Sequence, residues 1–306
     1  YKIPQLVKLS KQAKFEYLAC NFKYLGTGTT ELNYKPYEIV DYGGTKVAYV
    51  GISTPETFVK STPAYFQDAK GNYIYSFCED DDGSALYKAV QETVDAARKA
   101  GAKYVVALAH LGNEGITERW TSKAVIANTT GIDAVLDGHD HETISTKVAN
   151  KEGKEVVLAE AGQEGGKLAT LGKLTIAADG TITSELISAK DYTAKDETVA
   201  AYIANIESTF SDTVSKVVAK SAITLPDHDE SGNRLVRNSE TALGDLAADA
   251  FRIMMDADIG IMQGGGLRAP IKAGDITLND ILTVFPWANL PCKMEVTGQT
   301  ILDMLE

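Results

Sequence analysis

Three of the four histidines in this 306-residue chain lie where two predicted strands end. His110 closes one strand, and the motif Gly138-His139-Asp140-His141 follows the next. Neutral imidazole is the commonest transition-metal ligand in proteins. A single histidine at such a position is usually satisfied by backbone groups, but three at neighbouring strand ends predict a metal site formed by His110, His139 and His141.

Each of the strands that must position these histidines follows a helix. Apolar residues recur at helical spacing over 85–100, and the apolar run 104–108 is typical of a strand covered on both faces. Residues 122–128 and 133–136 repeat this order of helix and strand. Because the carboxyl ends of parallel strands meet at one edge of an α/β sheet, where ligands bind, the pattern predicts an α/β fold with the histidines at that edge.

A second group of candidate residues surrounds a glycine-rich loop that runs from Gln263 to Arg268. Gly265 and Gly266 would let the backbone approach a ligand closely. Arg268 could pair with a phosphate or a carboxylate, or stack on a ring. The alternative is a simple bend, since the loop lacks the G-x-G-x-x-G spacing of a dinucleotide-binding motif.

Two residues outside this loop also have two interpretations. Arg237 precedes a predicted helix that begins near Glu240, and is either a surface residue or an anion contact. Trp287 follows Phe285-Pro286, and is either a core residue or an aromatic that stacks on a base.

The composition excludes several classes of protein. With 44% hydrophobic and 24% charged residues, the chain is neither disordered, collagen-like nor a coiled coil. Its formal net charge of -12 disfavours nucleic acid and anionic membranes as partners. The chain has three widely spaced cysteines without a C-x-x-C pair, and it has no apolar run of about 18 residues that could span a membrane.

The sequence also predicts that the chain is divided into two domains. Residues 196–220 contain no glycine or proline and place apolar residues at three- and four-residue steps, which predicts a long linker helix. We therefore expect one domain over 1–195 and another over 221–306. A strand is predicted at 259–262 in the second domain.

Five motifs, in this order along the chain, resemble those of the 5'-nucleotidase family. They are Ala109–Gly112, Asp137–His141, Ser239–Ala250, Gly264–Arg268 and Phe285–Asn289. The family joins a calcineurin-like metallophosphoesterase domain to a carboxyl-terminal nucleotide-binding domain. The resemblance implies an incomplete β-sandwich flanked by helices, followed by a partial α/β nucleotide-binding domain.

The resemblance also implies roles for individual residues. His110, His139 and His141 match metal ligands of the family. Gln263 stands where relatives carry Asn, and Trp287 stands where many carry the Phe that clamps one side of the base. The positions implied to bind substrate are Arg237, Gln263, Gly265, Gly266, Arg268 and Trp287.

Some of the family's motifs do not occur in the chain. Its other metal ligands lie in D-x-H, G-D and G-N-H-E motifs, so we assign no catalytic residue within this chain. G-N-H-E normally continues as Phe-Asp-Tyr, and the chain opens on Tyr1; we therefore expect it to begin just past that motif and to end before a second base-clamping aromatic.

This incomplete ligand set leads to an expectation about metals and activity. The intact protein is expected to hold two divalent ions, such as zinc or manganese, and this chain at most one, weakly. We expect the chain alone to be nearly inactive, because three imidazoles cannot bridge two ions.

The expected function is metal-dependent hydrolysis of nucleotide phosphate esters, of the 5'-nucleotidase or 2',3'-cyclic nucleotide phosphodiesterase class. The expected partner is a nucleotide or nucleoside phosphate, and the implied location is extracytoplasmic: periplasm, cell wall or secreted. Two alternatives remain open. One is a non-catalytic nucleotide-binding or adhesin-like surface protein that retains the fold, and the other is a proteolytic or assembly remnant with a scaffolding role.

Overall fold

The chain forms two compact units in a computed structural model. They comprise residues 1–193 and 194–306, and we call them unit 1 and unit 2. Tyr1 and Ala288, which the sequence motifs include, lie outside the described residues. The structure describes residues 2–113, 117–164, 167–191, 193–287 and 289–305.

Unit 1 contains four helices and twelve strands among these described residues. The helices are α1 Ile3–Gln12, α2 Thr57–Lys60, α3 Ser84–Lys99 and α4 Ser122–Asn128. The first six strands are β1 Lys23–Tyr24, β2 Tyr37–Tyr42, β3 Thr45–Ser53, β4 Tyr75–Ser76, β5 Tyr104–His110 and β6 Ala134–Asp137. The other six are β7 Thr143–Ala149, β8 Glu155–Ala161, β9 Gln163–Glu164, β10 Lys167–Leu168, β11 Thr170–Ile176 and β12 Ile182–Ser188.

The main sheet of unit 1 has six strands in the order β2-β3-β5-β6-β8-β7. The four central strands run parallel, and the edge strands β2 and β7 pair antiparallel with their neighbours. The loops that follow these parallel strands therefore all lie at the same edge of the sheet, the one formed by the carboxyl ends of the strands.

The two faces of this sheet are covered differently. One face packs with α3 and α4 into a core that includes Val105, Leu86 and Ile126. On the other face, Val106 and its neighbours pack against the β11–β12 hairpin through Leu174 and Ile182. The α/β fold class is thus confirmed, with helices on one face of a mixed sheet and a β-hairpin on the other.

Helix α3 forms where the spacing of apolar residues over 85–100 predicts a helix. Its buried residues include Leu86, Val90, Val94 and Ala97, at the three- and four-residue steps of an amphipathic helix. Gly101 follows it with φ of 95°, a left-handed conformation that glycine adopts without steric penalty. Residues 15–20, which precede the sheet, form no strand, and among them only Leu18 makes an isolated bridge, to Lys35.

Unit 2 has its own core, formed by residues from several elements. The helices are α5 Glu197–Val214, α6 Ala242–Met254, α7 Leu278–Val284 and α8 Gly298–Leu305, and the strands are β13 Val217–Ser221 and β14 Gly274–Thr277. Leu243 of α6, Ile276 of β14 and Val284 of α7 are buried together in its core.

The predicted helix over 196–220 is wrong in its last residues. Helix α5 ends at Val214, and residues 217–221 form β13, which pairs with β14. Valines 217 and 218 fit helical spacing, but they are β-branched and suit a strand, and pairing with β14 decides between the two. The strand predicted at 259–262 is also wrong, since these residues have no regular structure.

None of the helices in the described part of the chain is long and apolar enough to cross a membrane.

Candidate functional site

Neighbouring parallel strands of unit 1 end side by side at the edge that carries the histidines. β3 ends at Ser53, which is paired with His110, the last residue of β5. β6 ends at Asp137, which is paired with Glu160 of β8. The loops after these strands are therefore neighbours, as expected where α/β sheets bind ligands.

Two of the predicted histidines lie against each other at this edge. The ring centroids of His110 and His139 are 5.0 Å apart, with the ring planes at 61°. Gly138 leaves room for this contact, since a Cβ there would lie 3.4 Å from Nδ1 of His110. His139 and His141 have φ of 122° and 68°, values that residues with side chains rarely adopt. Such backbone persists where the surroundings impose it, often at functional sites.

The side chain of Asp137 connects the two histidine-bearing loops. Its Oδ1 accepts hydrogen bonds from the backbone N–H of Leu111 at 2.9 Å and of Gly138 at 2.8 Å. Its Oδ2 accepts a hydrogen bond from the hydroxyl of Ser122. One carboxylate thus holds together the ends of β5 and β6 and the start of α4.

Glu56, three residues after β3, contacts the site from the adjacent strand end. Its Oε2 lies 2.8 Å from Nε2 of His139 and 3.5 Å from Nζ of Lys60, while its Oε1 accepts from the backbone N–H of Thr117 at 2.9 Å. Burial alone would raise the pKa of Glu56, but hydrogen bonds from His139 and Thr117 and the charge of Lys60 lower it overall. Glu56 is therefore ionised at neutral pH.

A second buried carboxyl group lies on the other side of the loop. Glu160 is 2% exposed, and one of its oxygens accepts from the backbone N–H of His141 at 3.0 Å. Burial, together with a hydrogen bond to Asp140 and that residue's negative charge, raises the pKa of Glu160 to about 9. At neutral pH Glu160 is therefore protonated and adds no charge next to the histidines.

The described residues supply part of a metal site. In this part of the chain, no group of three or more His, Cys, Asp or Glu side chains is arranged to hold a metal ion. The structure brings His110 and His139 together and places His141 in the same loop, without forming a three-ligand group.

The chemistry of the imidazole pair nevertheless suits a metal. Desolvation and the neighbouring histidines lower the pKa of His110, which favours the neutral ring that ligates metals. His139 contacts a carboxylate through one nitrogen, as metal-binding histidines commonly do. The pair fits as two ligands of a shell that needs more donors, and the assignment of His110, His139 and His141 stays a prediction.

In unit 2, the glycine loop lies directly against the segment that carries Arg237. A Cβ on Gly264 would lie 1.6 Å from the carbonyl oxygen of Val236, so only glycine fits there. A Cβ on Gly265 would lie 3.4 Å from Nη2 of Arg237 and 3.6 Å from Oε1 of Gln263. The loop therefore presents its backbone beside both predicted side chains.

Arg268 and Trp287 also come together in unit 2. The guanidinium carbon of Arg268 lies 6.0 Å from the centroid of the Trp287 ring, and Nη1 of Arg268 donates to the carbonyl of Gly265 at 3.4 Å. Trp287 is 56% exposed, so it is no core residue and its ring is open to a ligand.

A third arginine belongs to this cluster, and sequence reasoning missed it. Burial and the positive charges of Arg268 and Arg237 lower the pKa of Arg234, against the charge of Asp227. Three guanidinium groups thus concentrate positive charge in a chain whose net charge is -12. The only feature of the sequence that could have indicated Arg234 is its position three residues before Arg237.

Glu56 was missed as well, because it lies 83 residues before its partner His139. The only feature of the sequence that could have indicated Glu56 is its position just after the end of a strand that neighbours β5.

Gly266 is buried, and a Cβ there would lie 2.4 Å from Cε of Met262. This predicted substrate-binding position therefore has at least a packing role.

Known proteins match this chain over most of its length. Residues 217–306 match the family described as 5'-nucleotidase, C-terminal domain. A 5'-nucleotidase of Vibrio parahaemolyticus serotype O3:K6 is 24% identical over 345 residues, which cover 98% of this chain and 57% of that protein. Endonuclease YhcR of Bacillus subtilis (strain 168) is 26% identical over 301 residues, 95% of this chain and 22% of that protein.

A solved structure has the same fold. The 5'-nucleotidase precursor from Thermus thermophilus aligns with a TM-score of 0.72 at 22% identity, over 93% of this chain and 55% of that one. The chain thus spans little more than half the length of this structure and of the Vibrio enzyme, at 55% and 57%. The resemblance inferred from the five motifs is confirmed.

Proposed function

Because residues 217–306 carry a 5'-nucleotidase C-terminal domain and the rest of the chain resembles 5'-nucleotidases, we propose that the full-length protein hydrolyses phosphate esters of nucleotides. The reaction would be of the 5'-nucleotidase or 2',3'-cyclic nucleotide phosphodiesterase class. The observation that carries this proposal is the contact between the imidazoles of His110 and His139 at the strand ends.

In the full-length protein, His110, His139 and His141 would contribute to the binding of two divalent cations, zinc, manganese or similar. Such cations lower the pKa of bound water and neutralise charge on the phosphoryl group. The imidazoles of this chain would hold at most one cation, weakly, because two rings in contact supply fewer donors than the roughly four to six that each ion takes. We therefore expect the 306-residue chain alone to be nearly inactive.

In unit 2, the substrate would meet positive charge and an open ring. Arg237 and Arg268 would bind anionic or ribose oxygens, and Gln263 would hydrogen-bond the ribose or base. The exposed ring of Trp287 would stack on the base. Gly265 and Gly266 would let the loop backbone approach the nucleotide.

The substrate would be a small nucleotide rather than a nucleic acid, because a net charge of -12 repels a long polyanion. Nucleoside monophosphates, cyclic 2',3'-nucleotides and nucleotide sugars remain candidates. The protein would act outside the cytoplasm, in the periplasm, in the cell wall or after secretion.

Nucleotide binding can be tested on the 306-residue chain. Adenosine monophosphate, 2',3'-cyclic AMP and uridine diphosphate glucose would be titrated while tryptophan fluorescence is recorded. Arg268→Ala and Arg237→Ala should each weaken binding about tenfold to a hundredfold, the loss expected for charge-assisted hydrogen bonds. Arg252→Ala is the matched control, since this half-buried arginine of α6 pairs with Asp249. Equal losses in all three variants would contradict the proposed site.

Hydrolysis is tested by comparing phosphate release from the full-length protein and from the 306-residue chain, each with added manganese or zinc. The full-length protein should release phosphate, and its His110→Ala/His139→Ala variant should not. A full-length protein that binds nucleotide without releasing phosphate would favour the non-catalytic surface protein instead. Equal rates for the full-length protein and the chain would contradict the expected inactivity of the chain.

A further inference from the structure

Glu56 bridges two donors with its two carboxylate oxygens. Oε1 accepts from the backbone N–H of Thr117 at 2.9 Å, and Oε2 lies 2.8 Å from Nε2 of His139. The residue is 2% exposed, so water does not compete for these contacts. The two oxygens of the carboxylate thus contact two different loops, one through Thr117 and the other through His139.

The backbone around Glu56 holds this carboxylate in place. The N–H of Glu56 donates to the hydroxyl of Thr54 at 3.1 Å, and its carbonyl accepts from the N–H of Lys60 at 2.8 Å. The ammonium of Lys60 lies 3.5 Å from Oε2 and offsets the negative charge. The carboxylate is therefore positioned before any ligand binds.

The ammonium of Lys60, which can only donate, also faces Oε2, so this oxygen acts as an acceptor and the contact requires the proton to be on Nε2 of His139. In a neutral imidazole the lone pair is then on Nδ1. We propose that Glu56 is a positioning residue that fixes the Nε2–H tautomer of His139, so that Nδ1 is presented as a metal ligand. This inference rests on the proposed function only in assuming that a divalent metal binds there.

The substitution Glu56→Gln provides a sharp test, because glutamine has the same shape with one acceptor and one donor. The N–H of Thr117 can only donate, so the amide oxygen should face it and the NH₂ group should face His139. Nε2 must then accept, which moves the proton to Nδ1 and removes the lone pair from the ligand position.

Two measurements on the 306-residue chain test the inference. Two-bond ¹⁵N–¹H correlation spectra identify the protonated nitrogen of each of the four histidines, which Ala substitutions assign. His139 should be protonated at Nε2 in the wild type and at Nδ1 in Glu56→Gln. Competition with a chromophoric chelator should show zinc affinity about 10- to 100-fold lower in the variant, the usual effect of losing such a partner.

Controls separate this role from charge and from folding. Glu92→Gln removes an equal charge from an exposed residue of α3 and should change neither readout. Glu56→Asp keeps the charge but is one methylene shorter, so it should lose zinc affinity much as Glu56→Gln does. A wild-type His139 protonated at Nδ1, or unchanged zinc affinity in Glu56→Gln, would overturn the inference.

The tautomer and zinc measurements are independent of catalysis. If the full-length protein releases no phosphate but Glu56→Gln still shifts the tautomer and weakens zinc binding, the proposed function is contradicted and the role of Glu56 is supported. If the full-length protein releases phosphate but Glu56→Gln does not shift the tautomer, the proposed function is supported and the role of Glu56 is contradicted.

Discussion

In unit 1 the candidate site is held by side chains, whereas in unit 2 it is held by the close approach of backbone segments. Asp137 and Glu56 each join loops that follow different strands, and the histidine backbone adopts left-handed φ values between them. In unit 2, Gly264 brings its loop against the carbonyl of Val236, and the arginines lie around it.

This difference predicts different responses to substitution. A site built on shared carboxylates should lose its geometry when one of these groups is removed. In a site built on glycine contacts, substitution of an arginine should weaken ligand binding and leave the loop geometry intact. Adding a Cβ to a glycine of the loop should disrupt that geometry. The following four expectations test the contrast, beginning with the largest effect.

Removal of the carboxylate that connects the unit 1 loops should have the largest effect on stability. Asp137→Ala leaves the N–H groups of Leu111 and Gly138 and the hydroxyl of Ser122 without their acceptor. We expect the free energy of unfolding of unit 1 to fall by about 3 kcal/mol. Urea unfolding, with Asp81→Ala in an exposed loop of unit 1 as control, would measure it. A loss no greater than that of the control would show that the loops do not depend on Asp137.

Adding one carbon to the unit 2 loop should have the next largest effect. Gly264→Ala places a Cβ 1.6 Å from the carbonyl oxygen of Val236, so backbone must move. We expect unit 2 to lose about 1–3 kcal/mol, as other overpacked sites do. Gly298→Ala is the matched control, because a Cβ there meets nothing within 4 Å. If thermal unfolding shows the two variants equally stable, the loop is not held by backbone contact.

Removal of the Trp287 ring in unit 2 should weaken nucleotide binding and leave the free energy of unfolding unchanged. Trp287→Ala should weaken nucleotide binding by about 1–3 kcal/mol, the usual effect of losing one stacked base. Trp287→Phe should retain most of the affinity. Isothermal titration calorimetry measures both variants, and an unchanged affinity in Trp287→Ala would remove this ring from the site.

Alkaline pH should weaken unit 1, with no effect at neutral pH and a growing effect above pH 9. Burial raises the pKa of the Cys20 thiol to about 12 from an ordinary value of 9.0. The neutral thiol therefore stabilises the fold fully below pH 9, and this contribution is lost as the pH rises toward 12. The Cys20→Ala variant should lose less stability than the wild type between pH 8.5 and about 10.5. Parallel pH profiles for the two proteins would contradict this.

Much of unit 1 could be predicted from sequence because its signals are local. The apolar spacing of α3 and the continuous apolar run of β5 are each set by neighbouring residues. The same is true of His110, which ends its strand, and of the loop after β6. Hydrophobic periodicity gave the wrong prediction at 217–221, because the valines there fit a helix or a strand. Pairing with β14, which is 53 to 60 residues away in sequence, determined the outcome.

By itself, the sequence determined which residue types are present and where they stand along each element. It placed imidazoles at two strand ends and arginines beside a glycine loop, because these patterns are local. Only the tertiary structure decided which side chains come together: Glu56 contacts His139 across 83 residues, and Arg234 lies near enough to Arg268 for the two charges to repel. Such contacts depend on sheet order and loop geometry, which long-range packing sets and no short segment encodes.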